Sequence, residues 1–305
     1  MKKVLKICSF LLLISSIIGF VALWILLPVI ILQPQRLDIK QQPALLHHKI
    51  NPVDYGLIGE DISFTTPDSV FISATFLSAE HQPARATIIM LHGIGACKET
   101  FLPTAADFCK DSINVVLMDN RAHGQSGGTY CTYGFHEKDD VSVLVTKLLE
   151  RDPTNPIGLY GTSLGGAICY QVIGQDHRIR FAIIESTFDD LKNVVREYLA
   201  RFIGFHFDSL ADFALWRATQ VAGFESGQVI PSHSAKNATC PVFCAHGTRD
   251  IHIPLNYGIH NYAQLQSKGN EFHLISNADH NNVSSTGGPL YRKMMLHFIR
   301  ENSKD

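Results

Sequence analysis

The chain has 305 residues, of which 46% are hydrophobic, and a net charge of −2. This length is enough for one large domain of alternating helices and strands or for two small domains. Because the charge is nearly balanced and the body of the chain carries no basic run, the composition argues against a nucleic-acid partner.

The N-terminus predicts a membrane-spanning helix. Three lysines among the first six residues precede an uncharged run from Ile7 to Leu32. A helix needs about 20 apolar residues to cross a bilayer. This run is longer than a typical signal-peptide core, and no clear small-x-small cleavage site follows it. We therefore interpret 1–32 as a transmembrane anchor, with a cleaved signal peptide as the alternative.

The charges that flank this run indicate an orientation. Lys2, Lys3 and Lys6 precede it, whereas Arg36 and Lys40 follow it. This slight excess of positive charge favours a cytoplasmic N-terminus. The body would then be extracytoplasmic, either periplasmic or lumenal.

Residues 33–54 predict a linker, because they contain three prolines and little periodicity. The folded body would then comprise 55–305. No internal repeat interrupts it.

From about residue 60, short apolar runs alternate with amphipathic stretches. Continuous apolar runs are typical of strands buried on both faces, and they occur at 70–77, 86–93, 114–119, 157–161, 181–186, 241–247 and 271–276. Helical periodicity is clear in 141–149 and 191–202. This alternation predicts a mainly parallel sheet with helices on both faces. Functional residues are then expected just after the carboxyl ends of the strands.

Ser163 is the strongest candidate nucleophile. It lies between Gly161 and Gly165 and directly follows the apolar run 157–161. A nucleophilic serine must project from the sheet edge on a tight strand-to-helix turn, and such a turn leaves room only for glycine at neighbouring positions. The residues after it continue as a plausible helix.

Ser126 has the same spacing of glycines without the same context. Six residues separate it from the preceding strand run, and the residues after it are not helical. Turn chemistry explains its glycines. We therefore expect Ser126 to have a role in a loop.

A base and an acid follow later strand runs. His280 comes after the last run, and a helix-like segment, 290–302, closes the chain behind it. Histidine is the natural base for a serine because its pKa lies near neutrality. Asp250, which follows the run 241–247, would orient the imidazole. The order serine, aspartate, histidine is the order expected for this architecture.

Two backbone amides are candidates to stabilise an oxyanion. The N–H of Leu164 is next to the nucleophile, and the N–H of Ile94 lies in the glycine-containing loop after the run that begins at residue 86. Both would act through the main chain alone.

Nucleotide and metal sites are disfavoured. Gly93 and Gly95 begin a dinucleotide fingerprint, but Lys98 occupies the place of its last glycine. The sequence Cys240-x3-Cys244-x-His246 lacks a second pair of metal ligands. We expect no cofactor and no metal.

The cysteines leave one question open. Six of the seven lie in the body and could pair if that body is extracytoplasmic. Cys169 and Cys244 lie in apolar elements and are expected to be buried small hydrophobic residues.

Five segments together resemble the α/β-hydrolases, and most closely the subgroup of serine aminopeptidase-like and monoacylglycerol lipase-like proteins with their membrane-anchored relatives. These segments are LHGIGA, MDNRAHGQSGG, YGTSLGG, CPVFCAHGTRDIHIP and NADHNNV, which span about residues 60–300. The resemblance implies an α/β-hydrolase fold with a mainly parallel, eight-stranded sheet. It maps nucleophile, acid, base and oxyanion amides onto Ser163, Asp250, His280, Ile94 and Leu164. One departure is Ala122, where relatives usually carry glycine.

The family usually has a variable cap between the sixth and seventh strands, and 187–240 fill that place here. The aromatic residues concentrated there are Phe202, Phe205, Phe207, Phe213, Trp216 and Phe224. They either pack a helix onto the sheet or form an apolar roof over a substrate.

The sequence thus predicts a membrane-anchored serine hydrolase. It would cleave an ester, thioester or amide through an acyl-enzyme, with a small-molecule or lipid-like acyl ester favoured as substrate. A serine peptidase and a non-catalytic binding module on the same fold are the alternatives, since a fold alone does not settle function.

Overall fold

An eight-stranded sheet forms the centre of the body in a computed structural model that describes residues 2–37, 39 and 48–304. Its strands are β1 (Gly59–Asp61), β4 (Ala74–Leu77), β5 (Ala86–Leu91), β6 (Ile113–Met118), β7 (Ile157–Thr162), β8 (Ile179–Glu185), β9 (Val242–Gly247) and β10 (Glu271–Ile275). Two further strands, β2 (Phe64–Thr65) and β3 (Phe71–Ile72), form a small antiparallel pair.

The order across the large sheet is β1-β4-β6-β5-β7-β8-β9-β10. β4 is antiparallel to both of its neighbours, and the remaining pairs are parallel. The carboxyl ends of the parallel strands therefore meet at one edge, where a site is expected.

Nine α-helices accompany the strands in the described part of the chain. They are α1 (Lys2–Leu32), α2 (Leu102–Lys110), α3 (Glu137–Arg151), α4 (Leu164–Ile173), α5 (Leu191–Ile203), α6 (Asp208–Ala222), α7 (Pro231–Ala235), α8 (Leu255–Gln264) and α9 (Val283–Asn302). α3 and α4 share one hydrophobic core with the sheet, and α2 and α9 share another. The predicted α/β-hydrolase architecture, with helices on both faces of a mainly parallel sheet, is confirmed.

Two strand predictions need correction. The run 70–77 is two strands, because the Ser73 N–H donates to the hydroxyl of Ser126 (2.8 Å) rather than continuing a ladder. The run 271–276 was expected to be buried on both faces, but the side chains of β10 are only partly buried. β10 pairs with β9 alone, and a strand at the edge of a sheet has fewer neighbours to cover it.

α1 has two parts with different surroundings. Residues 3–21 are exposed, whereas Pro28 and Leu32 are buried against the body. The helix from Lys3 to Leu32 is long and apolar enough to cross a membrane, with a mean hydropathy of 2.8. The predicted linker, 33–54, lies partly outside the described residues, and the domain boundaries stay predictions.

Two long helices, α5 and α6, occupy the stretch between β8 and β9 in which the cap is predicted. They share a third hydrophobic cluster with Leu32 of α1 and with Ala167 of α4. This cluster lies over the helix that begins next to Ser163.

Candidate active site

Three side chains from three separate loops meet at the carboxyl edge of the sheet. Ser163 follows β7, Asp250 follows β9, and His280 follows β10. The His280 Nε2 atom lies 2.9 Å from the Ser163 Oγ atom, and its Nδ1 atom lies 2.8 Å from the Asp250 Oδ2 atom. A hydrogen-bonded chain therefore joins hydroxyl, imidazole and carboxylate.

The backbone at Ser163 is strained. Its φ of 52° and ψ of −117° lie outside the regions that residues with side chains usually adopt. A Cβ atom at Gly161 would overlap the Gly165 carbonyl, and one at Gly165 would overlap the Leu91 carbonyl. The glycines are thus required by crowding, as the sequence predicted.

The carboxylate of Asp250 is positioned to accept a hydrogen bond from His280. Its Oδ1 atom accepts from the N–H groups of His252 (2.9 Å) and Ile253 (2.8 Å), which leaves Oδ2 for His280. Burial raises the pKa of this carboxyl. The hydrogen bond from His280, the charge of His280 and the hydrogen bond from the Ile253 N–H outweigh burial, so the pKa lies below its ordinary value. Because a carboxylate can only accept, His280 carries its proton on Nδ1, and Nε2 is free to accept the proton of Ser163.

The two predicted oxyanion amides lie beside the serine. Ile94, Ser163 and Leu164 line one cavity, and a Cβ atom at Gly93 would lie 3.4 Å from the Ser163 Cβ atom. Leu164 is the first residue of α4, where N–H groups have no partner within the helix. Within the described part of the chain, neither amide donates to a protein acceptor, so both are available to a ligand.

His92 orients one of these amides, a role that the sequence analysis missed. Burial, together with the nearby His123, lowers the pKa of His92 to about 4, so the ring is neutral at pH 7. Its Nδ1 atom lies 2.8 Å from the Gly93 carbonyl oxygen, and its Nε2 atom accepts from the Asn120 N–H (3.1 Å). The Gly93 carbonyl and the Ile94 N–H belong to one planar peptide group, so a bond to the first fixes the direction of the second.

The side chain of Ser126 lies in the interior, and its hydroxyl hydrogen-bonds only to main-chain groups. Its hydroxyl accepts from the Ser73 N–H (2.8 Å) and donates to the Asp119 carbonyl (2.7 Å). The side chain is buried. This arrangement agrees with the predicted role in a loop.

We expect Ser126→Ala to lower the free energy of unfolding by about 1–3 kcal/mol, because two buried backbone groups lose their partner. Denaturant unfolding measures this change. The reaction of Ser163 with an active-site probe should be retained. A variant as stable as the unsubstituted protein would contradict the assignment.

Two residues of the disfavoured metal set, Cys244 and His246, have protein partners. Cys244 Sγ lies 3.1 Å from the Tyr170 hydroxyl, and His246 Nε2 lies 2.9 Å from the Ile253 carbonyl. Cys169 and Cys244 are buried, as predicted, and all seven cysteines are free thiols.

Ser163 lies where an apolar cavity and a more polar cleft meet. The cavity has a volume of about 320 Å³ and is bounded by α1, α5 and α6. The cleft has a volume of about 950 Å³, and His280, Glu185 and Arg292 lie along it. The contribution of α1 to the cavity was not predicted, because its composition is equally suited to contact with lipid.

This fold, with a serine on a strained turn between β7 and α4, defines the class of the protein. The chain has the α/β-hydrolase fold. Residues 82–213 match the family described as serine aminopeptidase, S33. Family and fold together support a hydrolase of the esterase or peptidase kind.

The chain is similar to known proteins in sequence and in fold. The uncharacterized protein YfhR of Escherichia coli O157:H7 is 27% identical over 79% of this chain and 80% of its own length. The esterase Pf2001 of Pyrococcus furiosus has the same fold, with a TM-score of 0.71 at 20% identity over 89% of this chain and 100% of that chain. A membrane phospholipase A described as a bacterial virulence factor gives a TM-score of 0.59 at 16% identity over 100% of both chains.

Proposed function

We propose that the protein is a membrane-anchored serine hydrolase that cleaves an acyl ester, with Ser163 as nucleophile, His280 as general base and Asp250 as the group that orients the imidazole. The observation that carries this proposal is the continuous hydrogen-bonded chain from Ser163 Oγ through His280 to Asp250. A serine hydroxyl is a poor nucleophile until a base removes its proton, and this chain supplies that base.

The proposed reaction has two stages. Ser163 Oγ attacks the carbonyl carbon while His280 Nε2 takes the hydroxyl proton, and the N–H groups of Ile94 and Leu164 donate to the resulting oxyanion. The carbon–oxygen bond to the leaving group then breaks, and the alcohol leaves with the proton from His280. Water, activated by the same imidazole, releases the acyl group from Ser163 and restores the free hydroxyl.

The surroundings of Ser163 favour a lipid-like ester. An acyl chain can occupy the apolar cavity on one side of the hydroxyl, and a polar leaving group can occupy the cleft on the other. Thioesters and amides offer the same carbonyl chemistry. The exposed apolar stretch of α1 supports a retained anchor, with the N-terminus in the cytoplasm and the body outside it.

A serine peptidase is the second candidate, because the matched family is described as serine aminopeptidase. An aminopeptidase needs an acidic group for the amine of its substrate. Two acidic side chains line the described part of the cleft, and both have partners. Glu185 accepts from the hydroxyls of Tyr160 (2.9 Å) and Tyr291 (2.7 Å), and Asp107 pairs with Arg292 (2.8 Å). This pairing favours the ester.

We expect a fluorophosphonate probe to label the protein covalently at Ser163, because the probe reacts with activated serine hydroxyls. A panel of p-nitrophenyl acyl esters of graded chain length, tested beside aminoacyl p-nitroanilides, should show faster turnover of the esters. Faster turnover of the anilides would establish the peptidase instead. If the protein showed no labelling and no turnover, a binding module would be indicated instead.

A further inference from the structure

The N-terminal helix contributes directly to the cavity that ends at Ser163. Leu23, Leu27, Ile30 and Ile31 of α1 line the same apolar cavity as Ser163. A helix that served only as a tether would not need to reach the nucleophile. The position of α1 therefore calls for a role beyond attachment.

Hydrogen bonds to the loop after β6 fix the end of this helix. The Leu32 carbonyl accepts from the Cys131 N–H (2.8 Å), and the Ile31 carbonyl accepts from the Tyr133 hydroxyl (2.6 Å). The guanidinium of Arg36 donates to the Ser126 carbonyl (2.7 Å). The last carbonyls of a helix have no intrahelical partners. Here the body of the protein supplies donors to two of these carbonyls.

Aromatic contacts hold the middle of α1 against α6. The ring of Trp24 lies 5.9 Å from the rings of both Phe213 and Trp216, measured between centroids. The guanidinium of Arg217 lies over the same indole at 4.5 Å. Such contacts add attraction beyond the burial of apolar area. This part of α1 is therefore a packed wall of the cavity.

The opposite wall comes from α5, and side-chain exposure locates the mouth. Val195 and Leu199 of α5 line the cavity, as does Phe202 at the end of that helix. Phe202 is 83% exposed and Leu23 is 43% exposed. The mouth therefore lies between α1 and the C-terminal end of α5.

This mouth lies where α1 emerges from the body. The exposed part of α1, residues 3–21, is about 28 Å long at about 1.5 Å per residue, close to the ~30 Å hydrocarbon core of a bilayer. Phe205 and Phe207, which connect α5 to α6, are also exposed. Aromatic side chains are favoured at the membrane surface, and a group of exposed ones marks a contact site.

From these positions we infer that α1 is one wall of an acyl-chain site, and that the substrate is an acyl ester lipid whose chain passes directly from the bilayer, between α1 and α5, to Ser163. This inference rests on the proposed serine hydrolase. It assigns to the anchor a part in substrate selection.

The first test changes the wall. Leu27→Trp fills the cavity, Leu27→Ala enlarges it, and Leu26→Trp is the matched control, since Leu26 is exposed and does not line the cavity. Each full-length protein in phosphatidylcholine vesicles hydrolyses a dodecanoyl and a butanoyl p-nitrophenyl ester. The readout is the ratio of the two rates, which is independent of the amount of active enzyme.

We expect Leu27→Trp to lower this ratio about tenfold or more, since hydrophobic pockets discriminate to this degree by size. Leu27→Ala should raise the ratio, and Leu26→Trp should match the unsubstituted protein. Equal ratios in all four proteins would overturn the inference. If the unsubstituted protein neither turns over an ester nor reacts with a fluorophosphonate, the proposed function has failed instead.

The second test concerns the route. A fluorogenic acyl ester lipid is placed either in the vesicles that carry the protein or in separate vesicles. If the acyl chain enters from the bilayer, the lipid should be hydrolysed faster when enzyme and lipid share a membrane, whereas a water-soluble ester should react equally in both settings. Equal rates for the lipid would overturn the proposed route.

Discussion

Ser163→Ala is expected to lower kcat on a p-nitrophenyl acyl ester by about 10⁴- to 10⁶-fold. The substitution removes the one oxygen that His280 Nε2 contacts in the hydrogen-bonded chain. Stopped or continuous release of p-nitrophenol measures the change. Covalent labelling by a fluorophosphonate should disappear with it.

The matched control for this substitution is Ser126→Ala. Both changes remove one hydroxyl from a serine flanked by glycines, but only Ser163 contacts an imidazole. The Ser163 variant should unfold near the denaturant concentration of the unsubstituted protein, whereas the Ser126 variant should lose stability and keep its reactive serine. An Ser163→Ala protein that hydrolyses the ester within about tenfold of the normal rate would refute the assigned nucleophile.

Asp250→Asn is expected to lower kcat by about 10⁴-fold with little change in KM. An asparagine amide can donate to His280 Nδ1 and so place the imidazole proton on Nε2, where it blocks acceptance from Ser163. The neutral amide also removes the charge that stabilises the imidazolium. Steady-state kinetics on the same ester separates the two constants.

Asp190→Asn is the control for the loss of a carboxylate near this edge of the sheet. Asp190 caps α5, its side chain accepting from the Lys192 N–H, and asparagine caps helices equally well. We expect this variant to keep normal kinetics. Should Asp250→Asn prove as active as Asp190→Asn, the carboxylate at 250 has no part in the reaction.

The two interpretations of α1 predict different enzymes. If the helix is retained, the cavity keeps the wall that holds Leu27 and Ile31, and an acyl chain is enclosed on the way to Ser163. If a signal peptidase removed it, that wall would be lost and the apolar side chains of α5 that face it would meet water. The ratio of the rates on long and short acyl esters therefore reports on substrate selectivity. It also distinguishes an enzyme that retains α1 from one that has lost it.

Local features of the sequence were sufficient to predict the class of fold and the tight turn at Ser163. Continuous apolar runs indicate strands buried on both faces, and the prediction was wrong at 70–77, which is two strands, and at β10, which lies at the edge of the sheet. The glycines around Ser163 could be interpreted because the crowding that requires them arises within a few residues of one turn. Asp250 and His280 could be named because parallel strands bring their carboxyl ends to one edge.

Contacts between distant segments could not be found in this way. Nothing local distinguishes His92 as the residue that orients the Ile94 peptide, because its partner at Asn120 follows another strand. Tyr133 contacts the Ile31 carbonyl across a separation of 102 residues. Such a pair depends on how complete elements pack, and one sequence carries no signal for it.

The sequence by itself determined the class of fold, the candidate nucleophile and the existence of an apolar N-terminal helix, since these depend on periodicity and on steric limits within short stretches of chain. Only the tertiary structure decided that this helix closes the cavity beside Ser163. Leucine and isoleucine lower the free energy equally well against lipid or against another helix, so their identity does not specify which of the two they will contact.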